Sequence, residues 1–333
     1  MPTQFSQVRS IDDLARNLGC GVSDIQRYAD AADRRPFYQR IRIPKRGKPT
    51  KFRVVFKAEQ RLALIQKNIL GWISRYVEFP ECVQGFVQKR SIATNARIHL
   101  QSRSVLHADI RDFFGSIREA AVVDAFRTLG CAPDVATVLA SLCTLSGRLP
   151  QGSSASPAIA NVVCQALDAE LQLLARANGC KYSRYADDIT ISGDALPRQA
   201  EVASILARHG FSVREDKCRI QSRGRSQFVT GLTIQDPISP RVPRASKRRL
   251  RLELHYAGKY GLAEHLERTG SEEPPEWALN RLGGWITFLY SIEGRAAQKL
   301  DKLWRVVQRA EGGDPFVRPG RDGTPDPEPP PED

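Results

Sequence analysis

Three aspartates lie beside apolar segments in which acidic side chains are costly. Asp109 ends the mostly apolar segment 104–109, and the adjacent Asp187 and Asp188 precede the run Ile-Thr-Ile. Neighbouring carboxylates repel each other and are expensive to desolvate without a counter-charge. A divalent cation supplies one, and Mg²⁺ favours carboxylates together with phosphate oxygens and water. The three residues therefore predict a two-metal site for in-line phosphoryl transfer, although an Asp-Asp pair taken alone is more often a solvated turn.

The charge balance indicates a polyanionic partner. The 333 residues carry a formal net charge of +13, while the segment 311–333 has seven acidic and two basic residues, which leaves +18 on residues 1–310. A basic excess of this size favours nucleic acid, because each neutralised phosphate releases condensed counterions. It names a class of partner and not an activity.

Cysteine usage and hydropathy predict a cytosolic protein with no membrane partner. The seven cysteines form no Cys-x-x-Cys pair or Cys/His pattern, so we expect reduced, mostly buried thiols and no zinc site. The polar N-terminus lacks a signal sequence, and no apolar run approaches the length that spans a bilayer.

The periodicity of apolar residues predicts an α+β core followed by a helical lobe. The expected helices are at 59–77, 118–129, 134–145, one long helix at 157–178, and 197–209. A β-ribbon is expected at 36–57, a buried strand at 104–110 and a hairpin at 181–193. From 243 to 310 the pattern is all-helical, with Trp277 and Trp285 expected in the core of that lobe. This order suits a core of ferredoxin-like character.

The segment Tyr-Ala-Asp-Asp at 185–188 resembles the catalytic hairpin of reverse transcriptases. Three further segments resemble family motifs in the same chain order: His-Ala-Asp-Ile-Arg-Asp-Phe-Phe at 107–114, Leu-Pro-Gln-Gly-Ser-Ser-Ala-Ser-Pro-Ala-Ile-Ala-Asn at 149–161, and the lysine-bearing segment 209–217. The resemblance covers roughly residues 36–300. Two signatures, Asn-Ala-x-x-His at 95–99 and Val-Thr-Gly at 229–231, resemble the retron branch.

The resemblance implies a right-hand polymerase with fingers, a ferredoxin-like palm and a helical thumb. We expect an N-terminal helical segment at 1–34 and fingers at 35–100. The palm would occupy 101–235, with the remaining finger helices at about 118–150. The RNA-binding thumb would occupy 236–310, and a disordered tail rich in proline and acid would occupy 311–333.

The resemblance also implies the catalytic roles. Asp109 and Asp187 would bind both Mg²⁺ ions, with Asp188 assisting and Mn²⁺ as a substitute metal. Ile110 would contribute only its backbone carbonyl. Lys217 would act as a general acid towards pyrophosphate, with a plain surface lysine as the alternative.

The nucleotide site is expected around an aromatic pair and a glycine loop. Phe114 lies where the family carries a steric gate against a 2′-hydroxyl, with Phe113 and Asp112 beside it, and both rings could instead be core. The residues expected to contact the triphosphate, the incoming base and the template are Arg53, Lys51, Gln151 and Gly152. A guanidinium suits phosphate oxygens, and glycine permits close backbone approach. Lys51 could equally be a generic basic contact.

Two groups of residues are expected to bind RNA. Asn95 and His99 are four residues apart and so share one face of a helix, and a structural hydrogen-bonding role is the alternative. The basic run that opens the helical lobe comprises Arg241, Arg244, Lys247, Arg248, Arg249 and Arg251. A solvated face is the usual explanation for a charge run, but this one contains no acid.

The function implied is an RNA-directed DNA polymerase that uses dNTPs to copy part of a cognate noncoding RNA into DNA. Family membership would further imply priming from a 2′-hydroxyl, a branched RNA–DNA product, and antiphage defence with a separate effector protein. The alternatives are a group II intron maturase, a non-catalytic RNA-binding scaffold, and an RNA polymerase of the same architecture.

Overall fold

The computed structural model of the protein describes residues 4–45, 48–224 and 226–312, without the side chains at 45, 48, 49 and 51. The tail expected at 311–333 therefore lies almost wholly outside the described residues. The chain packs as two units that divide between residues 225 and 226, earlier than the expected thumb boundary at 236. Both helices and sheets are present, as the sequence predicted.

The first unit begins with short helices and a β-ribbon. Helices α1 (Ile11–Leu18) and α2 (Val22–Ala29) precede the antiparallel strands β1 (Tyr38–Lys45) and β2 (Lys48–Ala58). Ser10 caps α1 by accepting a hydrogen bond from the amide of Asp13 at 3.1 Å. Helices α3 (Gln60–Tyr76) and α4 (Ile92–Ile98) follow.

A four-stranded antiparallel sheet forms the centre of the first unit. Its strands are β3 (Ser104–Asp109), β4 (Lys181–Tyr185), β5 (Asp188–Gly193) and β6 (Arg219–Ser222), in the spatial order β4-β5-β3-β6. Helices separate β3 from β4 and β5 from β6, so the connection pattern is β-α-β-β-α-β, which is that of ferredoxin-like folds. The expected hairpin at 181–193 is confirmed.

Burial of the central strands holds the sheet in register. Leu106 on β3 lies opposite Ile191 on β5, and both side chains are fully buried. Burying one such aliphatic side chain contributes about 1.5–3 kcal/mol. A slip of one residue would move these side chains to the opposite face, so packing also determines which residues face each other at the ends of the strands.

The remaining helices of the first unit pack around this sheet. They are α5 (Phe113–Ser116), α6 (Glu119–Thr128), α7 (Pro133–Cys143), α8 (Ser156–Val163), α9 (Gln165–Ala177) and α10 (Gln199–Arg208). The prediction of one long helix at 157–178 is wrong, because the chain bends by 53° between α8 and α9. Cys164 at the break has φ −81° and ψ 0°, and both helices bury apolar residues, so the apolar periodicity hides the bend.

No single helix in the described parts of the chain is both long and apolar enough to cross a membrane. Helices α8 and α9 meet that criterion only when they are taken together, across their bend.

Asn95 and His99 lie inside the first unit, which contradicts the expectation that they contact RNA. The two ring nitrogens of His99 lie 2.7 Å from the hydroxyls of Ser183 and Ser192. Ser183 also donates to Asn95 Oδ1 at 2.6 Å. Both residues are buried, so the structural alternative is supported: they connect α4 to strands β4 and β5.

The second unit is mainly helical. Strands β7 (Phe228–Val229) and β8 (Leu232–Thr233) form a hairpin, and helices α11 (Arg244–Tyr260), α12 (Leu262–Arg268), α13 (Pro275–Ile292) and α14 (Gly294–Ala310) follow. Thr230 and Gly231 have φ of 47° and 76°, as a tight two-residue hairpin turn requires. Trp285 is buried as expected, but Trp277 is 68% exposed, so its assignment to the core is wrong.

The burial of His99 predicts an acid-sensitive fold. Desolvation, together with the charges of His107 and Lys181, lowers the pKa of His99 from 6.5 to about 3. Below pH 6.5 the unfolded chain therefore binds a proton that the folded chain does not, and stability falls as the pH falls. We expect about 2 kcal/mol to be lost between pH 7 and pH 5, measured by urea unfolding.

His99→Gln should remove most of this dependence on pH, whereas His255→Gln, at an exposed position of α11, should retain it. An unchanged pH dependence in His99→Gln would contradict the assignment to this histidine.

Candidate active site

Strand register brings two of the three aspartates face to face. Asp109, the last residue of β3, lies directly opposite Asp188, the first residue of β5. Asp187 precedes Asp188 in the β4–β5 turn, and its carbonyl accepts a hydrogen bond from the Ile110 amide at 2.9 Å. Ala186 in the same turn has φ of 56°, a left-handed conformation that is uncommon for alanine. All three aspartates therefore lie at the same end of the sheet.

The electrostatics of the turn are unfavourable in the absence of a counter-charge. Desolvation and the charge of Asp109 raise the pKa of Asp187. Desolvation by the surrounding protein, followed by repulsion from Asp187 and Asp109, raises the pKa of Asp188 to about 7. Part of the Asp188 surface nevertheless remains exposed to solvent. Like charges directly opposite each other weaken a strand pair, so these residues oppose the folding of the sheet they belong to.

Two cations partly offset this repulsion. Lys217 Nζ lies 2.8 Å from Asp109 Oδ2, and Arg214 Nε lies 3.3 Å from Asp109 Oδ1. The Arg214 amide also donates to the carbonyl of Asp109 at 2.8 Å. Oδ1 is buried and, within the described part of the chain, accepts no hydrogen bond. The Arg214 contact is therefore an ion pair without hydrogen-bond geometry, and one oxygen of Asp109 remains available to a ligand.

The donor set fits Mg²⁺ bound together with a substrate. Among residues 4–45, 48–224 and 226–312, no group of three or more acidic, histidine or cysteine side chains is already arranged to hold a metal ion. Mg²⁺ usually takes one or two carboxylates and completes its shell with water and phosphate oxygens. The orphaned oxygen of Asp109 and the mutual repulsion of the three carboxylates are the features that such an ion would satisfy.

An aromatic pair follows strand β3. Phe113 is 5% exposed, with its ring centroid 6.1 Å from that of Phe211, whereas Phe114 is half-buried and 5.2 Å from Phe113. Asp112 is exposed and left-handed at φ 46°. Its carboxylate fills the space where a Cβ on Gly115 would lie, since Oδ2 would be only 2.3 Å away. Phe113 is therefore a core residue, and Phe114 keeps an accessible face.

The glycine loop packs on the β-ribbon. The Phe56 amide donates to the Gln151 carbonyl at 2.7 Å. Gly152 has φ of 110°, and a Cβ there would lie 2.9 Å from the Phe56 carbonyl oxygen. Arg53 is exposed on the same strand, β2, three residues before Phe56. The side chain of Lys51 lies outside the described residues.

Sequence reasoning missed three residues near the carboxylates. Arg214 lies three residues before the predicted Lys217 in the segment 209–217. The positive charge of Arg214 was the sequence signal that could have identified it as a partner of Asp109. Phe86 is 49% exposed, has φ of 61°, and its ring centroid lies 6.3 Å from that of Phe114. A Cβ on Gly85 would lie 2.4 Å from the Ala186 amide nitrogen, so Gly85 packs directly on the aspartate-bearing turn. The Gly-Phe pair was visible in the sequence, but the left-handed backbone of Phe86 is seen only in the structure. Such strained residues cluster at functional sites.

The basic run of the second unit divides into two groups. Lys247 Nζ lies 2.8 Å from the buried carboxylate of Glu293, and Arg241 pairs with Asp236 at 3.0 Å. Arg241 and Lys247 are therefore engaged in intramolecular ion pairs, and their expected contact with RNA stays a prediction. The members that stay exposed on α11 are Arg244, Arg248, Arg249 and Arg251.

Known proteins resemble this chain along most of its length. A family model described as reverse transcriptase (RNA-dependent DNA polymerase) matches residues 43–249. Retron Mx65 reverse transcriptase of Myxococcus xanthus is 34% identical, with 74% of this chain and 62% of that protein covered. Retron Ec86 reverse transcriptase of Escherichia coli is 26% identical, with 93% and 92% covered. Retron Se72 reverse transcriptase of Salmonella heidelberg is 30% identical, with 77% and 70% covered.

Removing one carboxylate should stabilise the metal-free protein. Asp188→Asn abolishes the repulsion with Asp109, so we expect a gain on the order of 1 kcal/mol in the free energy of unfolding at pH 8. The raised pKa of Asp188 makes the ionised form costly only at high pH, so the gain should shrink towards pH 5. Urea unfolding in a chelating buffer measures both values.

Asp194→Asn is the matched control, because Asp194 is exposed just beyond the other end of β5. The repulsion argument fails if Asp188→Asn destabilises the metal-free protein or if its gain does not depend on pH.

Proposed function

The chain belongs to the retron branch of the reverse transcriptase family, and on that premise we propose that it copies part of a cognate noncoding RNA into single-stranded DNA. The observation that carries the proposal is the register of β3 and β5, which sets Asp109 opposite Asp188 and beside Asp187. Carboxylates so placed are the ligands that a nucleotidyl-transfer metal pair requires. Family membership implies a divalent metal, an RNA template and dNTP substrates.

Each part of the site has a role in this chemistry. Asp109 and Asp187 would hold both Mg²⁺ ions, with Asp188 assisting and the Ile110 carbonyl as a further ligand. When bound, the metals activate the primer hydroxyl and stabilise the leaving pyrophosphate. Lys217, which contacts Asp109, would hold the proton that pyrophosphate accepts.

The nucleotide would lie between the aromatic pair and the glycine loop. Phe114 presents its accessible face to the sugar, and Phe113 supports it from the core. Gly152 allows the backbone to approach the base pair closely, and Gln151 contacts the incoming nucleotide. Arg53 on the ribbon would bind triphosphate oxygens through its guanidinium.

We assign the right-hand parts accordingly. Residues 35–100 would form the fingers and residues 101–235 the palm, with finger helices at about 118–150. Residues 236–310 would form the thumb. The exposed arginines of α11 would contact the phosphate backbone of the RNA or of its DNA copy.

The finer biology rests on membership of the retron branch. Priming from an internal 2′-hydroxyl, a branched RNA–DNA product, and antiphage defence with a separate effector protein are included in the proposal on that ground. The similarity to several retron enzymes favours this reading over a group II intron maturase.

The decisive experiment uses the protein purified with its copurifying RNA. Addition of Mg²⁺ and dNTPs should yield DNA complementary to that RNA, and Asp187→Asn should reduce synthesis to background because the metals lose a shared ligand. Sequencing the product and testing for a 2′-branched joint identifies the primer.

Asp194→Asn should leave DNA synthesis unchanged. Absence of DNA synthesis by the wild type, together with full biological activity of Asp187→Asn, would establish the non-catalytic scaffold instead.

The position of Phe114 predicts the sugar selectivity. Phe114→Val opens space beside the 2′ position, and we expect incorporation of rNTPs relative to dNTPs to rise about 10-fold or more. Single-nucleotide extension kinetics measure this ratio.

Phe126→Val is the control, since Phe126 is buried on α6: it should lower stability by about 2–4 kcal/mol without changing the ratio. A wild-type enzyme that uses both nucleotides equally would contradict the gate and favour an RNA polymerase.

A further inference from the structure

We propose that Arg184, Asp168 and Asn161 form a buried hub that positions the aspartate-bearing turn, so that they are positioning residues of the polymerase. The inference rests on the proposed function, because it assigns to the hub the task of holding the metal ligands in place. None of the three residues needs to touch metal or substrate.

Arg184 on β4 is the centre of the hub. Its side chain is fully buried. Its Nε and Nη2 donate to the two oxygens of Asp168 on α9, both at 2.7 Å. Tyr182 donates to the same carboxylate at 2.6 Å. A buried ion pair is often no more stable than apolar residues of the same volume, so its presence here indicates a task other than stability.

The third nitrogen of the guanidinium reaches the turn itself. Arg184 Nη1 donates to the Ala186 carbonyl and to Asn161 Oδ1, each at 3.1 Å. Ala186 is the left-handed residue immediately before Asp187. An uncommon backbone conformation persists only where its surroundings impose it, and a charged donor on its carbonyl is such a constraint.

The opposite side of the turn is held by the segment that carries Phe86. Asn161 on α8 donates to the Gly85 carbonyl at 2.9 Å. The amide of Gln84 donates to the Arg184 carbonyl at 2.7 Å. Gly85 packs so closely on Ala186 that a methyl group would not fit. The turn is therefore enclosed between the Arg184 guanidinium and the Gly85 backbone, and Asn161 connects the two.

Only a guanidinium meets these demands. Arg184 directs donors at a carboxylate, an amide oxygen and a backbone carbonyl from one rigid plane. A lysine ammonium is a point charge with three donors on a flexible stem and cannot reproduce this geometry. Through the hub, the motif ending at Asn161, the Gly-Phe segment and the catalytic hairpin become one connected structure.

The first test is Arg184→Lys, with Tyr182→Phe as the matched control. Tyr182→Phe removes one hydrogen bond from Asp168 but keeps every contact of Arg184. For Arg184→Lys we expect Mn²⁺ binding, measured by electron paramagnetic resonance of the protein with Mn²⁺ alone, to weaken about 10-fold or more. The kcat for DNA synthesis should fall by a similar factor, and Tyr182→Phe should match the wild type in both measurements.

The second test separates positioning from stability. The triple variant Arg184→Met/Asp168→Leu/Tyr182→Phe replaces the ion pair and the hydroxyl that donates to it by apolar groups, which should preserve folding but leaves nothing to hold the Ala186 carbonyl. We expect wild-type thermal stability with weak Mn²⁺ binding and low kcat. Recovery of Mn²⁺ affinity and kcat along with stability would overturn the proposal.

Asn161→Asp covers the case in which neither Arg184 variant folds. It keeps an acceptor for Arg184 but loses the donor to Gly85, so metal affinity should again fall, and wild-type affinity would overturn the proposal. Should the wild type make no DNA, the proposed function fails, while the comparison of Mn²⁺ affinities still decides whether the hub positions the turn.

Discussion

Repulsion between carboxylates is the constraint on which the first unit depends. Asp109 and Asp188 are paired across β3 and β5, and Asp187 adds a third charge beside them. The pairing persists because the strands behind it are buried: Leu106 and Ile191 are fully enclosed three residues from Asp109 and Asp188, respectively. Burial of the apolar interior thus offsets the destabilising repulsion at the acidic end of the sheet, as expected where function and stability conflict.

Cations approach this end of the sheet from two sides. Lys217 and Arg214 approach Asp109 from the segment before β6, while Arg184 approaches the turn from inside the fold. The two kinds of cation differ in consequence. Lys217 is half exposed and can exchange its partner, whereas Arg184 is sealed in the interior and bound to Asp168. Lys217 therefore compensates the charge of Asp109, whereas Arg184 holds the backbone conformation of the turn.

Much of this site was predictable, because motifs report local chemistry. The hairpin at 181–193 follows from residue types and spacing, whereas the order of the four motifs and the role expected for Phe114 came from the resemblance to reverse transcriptases. Partners that lie far apart in sequence were not predictable. The sequence around His99 does not predict its contacts with Ser183 and Ser192. The sequence around Lys247 likewise does not predict its ion pair with Glu293. Apolar periodicity likewise continues through the bend at Cys164, since both helices pack on the same core.

The contact between the ribbon and the glycine loop has a dynamic consequence. The hydrogen bond from Phe56 to Gln151 and the close approach of Gly152 join β2 to the loop. A bending motion of the ribbon would carry Gln151 with it, so opening and closing over a nucleotide would displace Arg53 and the loop together. The rate of substrate binding would then depend on one collective motion and not on two independent motions. Such motions typically occur on the microsecond-to-millisecond scale.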